Sequence, residues 1–90
     1  MIQQLSLDFR TIAAVPEFYR QFASRLNLSS HFGNNLDALW DAITGEIALP
    51  FQLTLRHFHQ HADPQQFSAL ISLLKEAEKE TDGAFRLIIK

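Results

Sequence analysis

The sequence predicts a small α/β domain, with helices packed against a parallel sheet. Three segments carry strand patterns, at 2–8, 51–56 and 84–89. Segments with helical apolar spacing separate these strands, so each connection is too long for a hairpin. This alternation favours parallel strands joined by helical crossovers. The chain has 90 residues, of which 47% are hydrophobic, and we expect one domain spanning 1–90 with a single core.

The first strand and the first helix follow from apolar spacing. Leu5 and Leu7 alternate with polar neighbours, so the strand at 2–8 buries one face. Pro16 fits the first turn of a helix, where its missing N–H is no loss. Helical spacing then continues to about residue 26, through Val15, Phe18, Tyr19, Phe22 and Leu26.

The stretch 33–45 predicts a short helix with its own start and stop. Gly33 and the two asparagines after it supply a turn and an N-cap, because an Asn side chain can accept from a free first-turn N–H. Gly45 supplies a C-terminal stop in the left-handed conformation. The apolar positions recur at i, i+3, i+4 and i+7 and form one stripe that faces a core: Leu36, Leu39, Trp40 and Ile43.

Two aspartates lie beside that apolar stripe. Asp37 and Asp41 are one helical turn apart, and Thr44 follows on the same side. Like charges at this spacing cost about 0.2–0.5 kcal/mol, so a folded helix does not need the pair. The pattern alone fits a solvated helix flank and a docking surface for a basic partner equally well. It does not fit acid–base catalysis, which needs two carboxyl groups in different environments across a cleft.

The last third of the chain predicts a longer helix followed by a strand. Asp63 is placed as an N-cap, with Pro64 at the first helical position. The helix runs to about Glu80, where an Asp-Gly pair ends it. Its apolar face comprises Phe67, Leu70, Ile71, Leu74 and Ala77. The segment 84–89 is apolar almost throughout, as a strand covered on both faces would be.

Three histidines, His57, His59 and His61, follow the strand at 51–56. If 57–62 is a short helical turn, His57 and His61 share a face and could hold zinc or nickel with a third ligand. The chain has no cysteine, and this segment has no acidic residue. A polar turn between strand and helix is therefore the favoured interpretation, with no dedicated metal site.

Composition and charge exclude several classes of function. The absence of cysteine rules out disulfides, and no apolar run approaches the ~20 residues of a membrane span. The N-terminus lacks a signal pattern, and there is no Gly-rich phosphate loop or serine nucleophile elbow. We therefore expect a cytoplasmic protein that is not an enzyme. It should have no cofactor, no membrane partner and no small-molecule substrate.

The charge distribution argues against direct binding of nucleic acid. Net charge is −2, and no Lys or Arg lies between Arg25 and Arg56. Asp37, Asp41 and Glu46 all lie in that interval. Nucleic-acid binding depends on clustered Lys and Arg, so this balance suits a basic protein partner or a plain solvated surface.

At 35–41, followed by Thr44-Gly45 and Leu49-Pro50, the sequence resembles the barstar family of intracellular inhibitors of the ribonuclease barnase. The similarity covers the whole chain and implies a three-stranded parallel sheet with helices on it. It also implies that the helix and the preceding loop plug a ribonuclease active site. The residues that the resemblance places at the contact are Asn35, Leu36, Asp37, Trp40, Asp41, Thr44, Gly45 and Glu76.

The resemblance assigns different roles to the three acids. The residue matching Asp41 takes the place of a substrate phosphate among the enzyme's basic side chains. The one matching Asp37 pairs with basic groups at the rim, and the one matching Glu76 reaches the same surface from the neighbouring helix. Carboxylates can replace phosphates in this way because both accept bidentate hydrogen bonds from arginine.

Two positions depart from the family pattern. His31 stands where the family has a tyrosine, and Glu46 stands where it has a tryptophan. Both aromatics belong to the family's contact surface, so their loss alters specificity more than fold. We predict an immunity or antitoxin protein that forms a 1:1 complex with a ribonuclease whose basic cleft differs from that of barnase. The alternative is a binding module of the same fold for a basic protein that is not a ribonuclease.

Overall fold

The structure is a computed structural model, and it describes residues 3–28 and 32–90. Ile2, in the first predicted strand, and His31 lie outside the described residues. The elements follow in the order β1 (Gln3–Asp8), α1 (Val15–Arg25), α2 (Leu36–Asp41), a π-helical turn (Ala42–Glu46), β2 (Phe51–Arg56), 3₁₀ turns at Phe58–Gln60 and Pro64–Phe67, α3 (Ser68–Glu80) and β3 (Phe85–Ile89).

The three strands form one parallel sheet in the order β1-β2-β3. Their register aligns Leu5 with Leu53 and Leu53 with Leu87. This arrangement confirms the predicted α/β class. It also confirms the three parallel strands that the resemblance implied.

One face of the sheet is buried and the other is open. On the buried face the inward-pointing residues are Leu5, Leu7, Phe9, Phe51, Leu53, Leu55 and Phe85. On the other face Gln4 and Ser6 are exposed, while Gln52, Thr54 and Ile88 are half-buried. The prediction that 84–89 is covered on both faces is wrong, because β3 is an edge strand and only Phe85 in it is buried.

Each helix contributes a short apolar stripe to the core, largely as its spacing predicts. The buried helical residues are Phe18, Tyr19 and Phe22 of α1, Leu39 of α2, Ala42 and Ile43 of the π turn, and Leu70, Leu74 and Ala77 of α3. Phe9, just beyond β1, joins this core to the segment after β2. Its ring makes edge-to-face contacts with Phe58 and Phe67, both at a centroid distance of 5.1 Å.

The start of the last helix differs from the prediction. Asp63 precedes a 3₁₀ turn, Pro64–Phe67, and its side chain makes no capping hydrogen bond. The α-helix proper begins only at Ser68, whereas its end at Glu80 is the predicted one. The predicted stop is confirmed, since Asp82 and Gly83 both have positive φ, 56° and 86°. Asp63 failed as a cap because the tighter turn, rather than an α-helix, follows it.

Two surface carboxylates are held by neighbouring guanidinium groups, and this gives a pH prediction. Hydrogen bonds from Arg10 lower the pKa of Asp8 from 3.8 to about 2. Hydrogen bonds from Arg20 and Gln21 lower the pKa of Glu17 from 4.5 to about 2. A lowered folded-state pKa means that the stabilisation is complete above the unfolded-state value and disappears as the pH falls through the folded-state value.

We therefore expect the double variant Asp8→Asn/Glu17→Gln to lose less stability than wild type between about pH 5 and about pH 2. Urea unfolding midpoints at the two pH values measure the difference. Both carboxylates are largely solvent-screened, so the change should be small. Equal losses in the two proteins would contradict the assignment of these pairs.

Candidate functional site

The start of α2 is fixed by one asparagine side chain. Asn35 Oδ1 accepts from Ala38 N at 2.8 Å, and Asn35 Nδ2 donates to Gly33 O at 3.0 Å. A Cβ at position 33 would lie 3.0 Å from Asn35 Nδ2, so a larger residue there would crowd the capping side chain. Asn34 completes the turn with φ of 48°. The predicted N-cap is confirmed, and the Asn35 amide is committed to capping.

Replacing the capping residue should measurably destabilise the domain. Asn35→Ala removes the acceptor for Ala38 N–H, and we expect it to lower the free energy of unfolding by about 1 kcal/mol. Asn34→Gly, which suits the positive φ next door, is the control and should stay within about 0.5 kcal/mol of wild type. Urea denaturation measures both. An unchanged Asn35→Ala would show that the cap contributes nothing to stability.

The end of α2 widens into the π turn instead of stopping at a left-handed residue. Ile47 N donates to Ala42 O, five residues back, at 2.9 Å. Thr44 Oγ1 donates to Trp40 O at 2.8 Å and so satisfies a carbonyl near the widened turn. The prediction of a left-handed Gly45 is wrong, because its φ is not positive and the chain leaves the helix at Ile47 in an extended conformation.

The backbone of Gly45 is accessible from outside the protein. Apart from its chain neighbours and the backbone of its own helix, no described atom lies within 4 Å of the position that a Cβ would take there. The residue is exposed at the end of the π turn. The packing of this protein therefore gives no reason for a glycine at position 45.

The apolar side of α2 is narrower than predicted. Leu39 and Ile43 are fully buried, and Trp40 is half-buried against the core. Leu36 is 39% exposed, so its assignment to the core-facing stripe is wrong. A helical side chain covers the turn N-terminal to its own Cα, and Leu36 is the first residue of α2. It therefore projects past the helix start instead of onto the core.

The acidic side of α2 faces solvent. Asp37, Asp41 and Glu46 are all exposed, and Glu76 is exposed on α3, which packs directly against α2. We call these four residues the acidic surface. Within residues 3–28 and 32–90, both ion pairs involve other residues, so no cation in these ranges forms an ion pair with the acidic surface. These carboxylates are thus available to an external cation without breaking an internal bond.

The histidine segment does not form the helical face that a shared metal would need. His57 has φ of 59° and precedes the 3₁₀ turn Phe58–Gln60, whereas His61 lies beyond it in an extended conformation. His61 Nδ1 accepts from Asp63 N at 2.9 Å, and its Nε2 donates to Ile12 O at 2.7 Å. Both ring nitrogens of His61 thus form hydrogen bonds within the fold, and Nε2 joins this segment to the loop after β1. Among the described residues, no group of three His, Asp or Glu side chains is placed to hold a metal.

The comparison with known proteins identifies the family. Residues 2–90 match the family model described as "Barstar (barnase inhibitor)". The chain belongs to the barstar family. It is also 27% identical, over 96 aligned residues, to the "Putative ribonuclease inhibitor YrdF" of Bacillus subtilis (strain 168). That alignment covers 99% of this chain and 100% of the relative.

Membership of the barstar family confirms the recognition made from the motif at 35–41, and the family is described as one of barnase inhibitors. No helix within the described ranges is long and apolar enough to cross a membrane. The described residues predicted to contact a partner fall on α2, its preceding cap and the π turn, and Glu76 falls on α3, which contacts α2. His31 lies outside the described residues.

Two features of the barstar-family helix were not predicted from the sequence. The π turn has no sequence signature, because it depends on how the chain must leave α2 to enter β2. The commitment of Thr44 to Trp40 O follows from that turn. A threonine four residues after a tryptophan in a helix is the one available signal, since a hydroxyl can bond to the i−4 carbonyl.

Proposed function

We propose that this chain is an intracellular inhibitor of a ribonuclease, and that it covers the enzyme's basic active site with the acidic surface in a 1:1 complex. The observation that carries the proposal is the exposed pair Asp37 and Asp41 on a helix of a barstar-family protein, with which no cation of the described residues forms an ion pair. The like-charge cost of this pair serves no purpose in the free domain. A cationic partner would relieve it.

Asp41 has the central role in this proposal. Its carboxylate replaces a phosphate of the RNA substrate and accepts hydrogen bonds from the basic side chains of the active site. Asp37, one turn earlier, binds basic groups at the rim. Glu76 extends the contact from α3. The concentrated negative charge also accelerates encounter with a basic enzyme, an effect that salt screens.

The remaining proposed contact residues add apolar side chains and exposed backbone around these acids. Leu36 is exposed and Trp40 is half-buried, so each can add apolar area to an interface. Thr44 is exposed and keeps lone pairs free after donating to Trp40 O. Gly45 lets a partner approach the backbone closely. Asn35 contributes indirectly, since its side chain fixes the start of α2.

His31 and Glu46 determine which ribonuclease is bound. Glu46 is exposed at the end of the π turn, where the family has an aromatic anchor. A carboxylate at this position favours an enzyme with an additional basic residue opposite it. The replacement of two aromatic contacts therefore supports a target that is related to barnase but differs from it at the rim.

The test is titration calorimetry and RNA-cleavage inhibition against barnase and a panel of related ribonucleases, at about 50 and about 200 mM salt. We expect 1:1 binding of at least one enzyme, with loss of cleavage and weaker binding at higher salt. Failure of every ribonuclease, together with binding to another basic protein, would favour the second candidate. That candidate is a binding module whose acidic surface serves a different basic partner.

Gly45→Ala distinguishes a structural glycine from a contact glycine. A methyl group fits at position 45 without strain, so the free energy of unfolding should stay the same or rise by up to about 1 kcal/mol. Binding to the target should weaken by about tenfold or more, because the methyl group separates the partner from the backbone.

Gly83→Ala is the matched control for this variant. Its φ of 86° makes alanine strained, so Gly83→Ala should destabilise the fold and leave target affinity unchanged. Unfolding and binding are measured on the same preparations. Undiminished binding by Gly45→Ala would contradict close approach of the partner at this residue.

A further inference from the structure

The outer edge of β3 has hydrogen-bonding groups that no neighbouring strand uses. β3 lies at one edge of the sheet, beside β2. Lys90 N donates to Leu55 O at 2.9 Å, so the backbone N–H and C=O groups of the even-numbered residues in this segment point toward β2. Alternate residues of a strand turn their backbone groups to opposite sides. The N–H groups that point away from the sheet therefore belong to Phe85, Leu87 and Ile89.

Two side chains near the end of α3 accept hydrogen bonds from this edge. Thr81 Oγ1 accepts from Phe85 N at 2.9 Å, and Glu78 Oε2 accepts from Leu87 N at 3.0 Å. Thr81 Oγ1 also donates to Ala77 O at 2.8 Å, which leaves its lone pairs for Phe85 N. The Glu78 carboxylate thus accepts the hydrogen bond that Leu87 N–H could otherwise donate to another strand. Its negative charge also repels the carbonyl oxygens of any strand that approaches.

The strand beneath these side chains has the composition of a segment that pairs readily. Residues 84–89 are apolar apart from Arg86 and are rich in β-branched and aromatic residues. Leu87, Ile88 and Ile89 are only half-buried. A second copy could add its own β3 antiparallel about a two-fold axis and cover these side chains.

We propose that Glu78 keeps the domain monomeric by occupying the edge of β3, and that the partner it excludes is a second copy of this chain. Thr81 assists by occupying the first outward N–H. Removing Glu78 leaves Leu87 N–H without an acceptor, and the carbonyl of a neighbouring copy can then satisfy it. Charged side chains at exposed sheet edges commonly prevent this kind of association. This role is separate from the inhibitory contact on α2.

Sedimentation velocity of Glu78→Ala and Glu80→Ala, from about 10 μM to about 1 mM, tests the proposal. Both variants remove one carboxylate from α3, and Glu80 is exposed to solvent. We expect wild type and Glu80→Ala to remain monomeric, while Glu78→Ala forms a concentration-dependent dimer. Adding Ile89→Pro removes another outward N–H and should return Glu78→Ala to a monomer.

Two sedimentation results would overturn the proposal. One is a folded Glu78→Ala that stays monomeric at every concentration. The other is a dimer that Ile89→Pro leaves unchanged.

Amide hydrogen exchange on the wild-type monomer does not depend on whether a variant folds. Leu87 N–H is bonded to Glu78, whereas Ile89 N–H has no acceptor among the described residues. After correction for intrinsic rates, Leu87 should exchange about tenfold more slowly than Ile89, as one hydrogen bond of ordinary strength implies. Equal protection at the two positions would show that Glu78 does not occupy the edge.

Discussion

Asp41→Ala should abolish most of the affinity for the target ribonuclease while leaving the fold intact. Truncating one partner of a buried charge pair costs about 2–5 kcal/mol or more, which corresponds to a loss of about 30-fold to several thousand-fold in affinity. Asp41 has no ion-pair partner among the described residues, and its removal relieves repulsion from Asp37. The free energy of unfolding should therefore stay the same or rise slightly. Calorimetry and urea denaturation measure the two effects.

Glu80→Ala is the matched control for Asp41→Ala. It removes the same charge from an exposed helical position outside the acidic surface, so target affinity should change by less than about threefold. Asp37→Ala and Glu76→Ala should fall between the two variants, since the proposed complex places both residues around the phosphate site and not in it. If Asp41→Ala binds as wild type does, or unfolds the domain, the role proposed for this carboxylate is wrong.

Phe9→Ala should cause the largest loss of stability among these variants. Phe9 is 2% exposed, and its ring contacts Phe18, Phe58 and Phe67 at centroid distances of 6.3, 5.1 and 5.1 Å. Truncation leaves a cavity where the strand layer meets the turns before α3, and we expect a cost of about 3–5 kcal/mol. That is a large part of the about 5–15 kcal/mol available to a domain of this size.

Phe58→Ala provides the comparison for Phe9→Ala. Phe58 belongs to the same aromatic cluster but is only half-buried, so its loss should cost clearly less. Urea denaturation of both variants measures the difference in the free energy of unfolding. We expect its dependence on urea concentration to have the same slope in the two proteins. A loss below about 1 kcal/mol for Phe9→Ala would show that this cluster does not organise the core.

The parts of the fold that local patterns determine were predicted well. The alternation at 51–56 matches β2 residue for residue, and α3 ends at the predicted Glu80. Asn35 caps α2 as its residue type and position suggest. These features depend on neighbours a few residues apart in sequence, and the physical rule is the same in any fold.

The features that sequence reasoning missed depend on residues that are distant in the chain. The apolar run at 84–89 has the pattern of a buried strand, but β3 is at the sheet edge because the strand order is sequential. Gly45 lacks a left-handed φ because the chain leaves α2 through a π turn. The bond from Leu87 N to Glu78 depends on the turn that follows α3 and has no local signature.

The candidate site was predicted through its motif, and the structure adds what the motif lacks. The segment 35–41 identified the family and its implied contact residues. The sequence alone did not distinguish a solvated flank from an open binding surface, because it does not show which cations reach Asp37 and Asp41. In the described residues, the two ion pairs lie elsewhere, one beside β1 and one on α1.

The most direct test of the central claim is the steady-state kinetics of RNA cleavage by the target ribonuclease at increasing concentrations of this protein. If the Asp41 carboxylate occupies the substrate phosphate site, inhibition will be competitive with RNA. The apparent KM will rise and kcat will not change, and Asp41→Ala will raise the inhibition constant by about 30-fold or more. Inhibition that lowers kcat at unchanged KM, or that is undiminished in Asp41→Ala, would contradict substrate mimicry by the acidic helix.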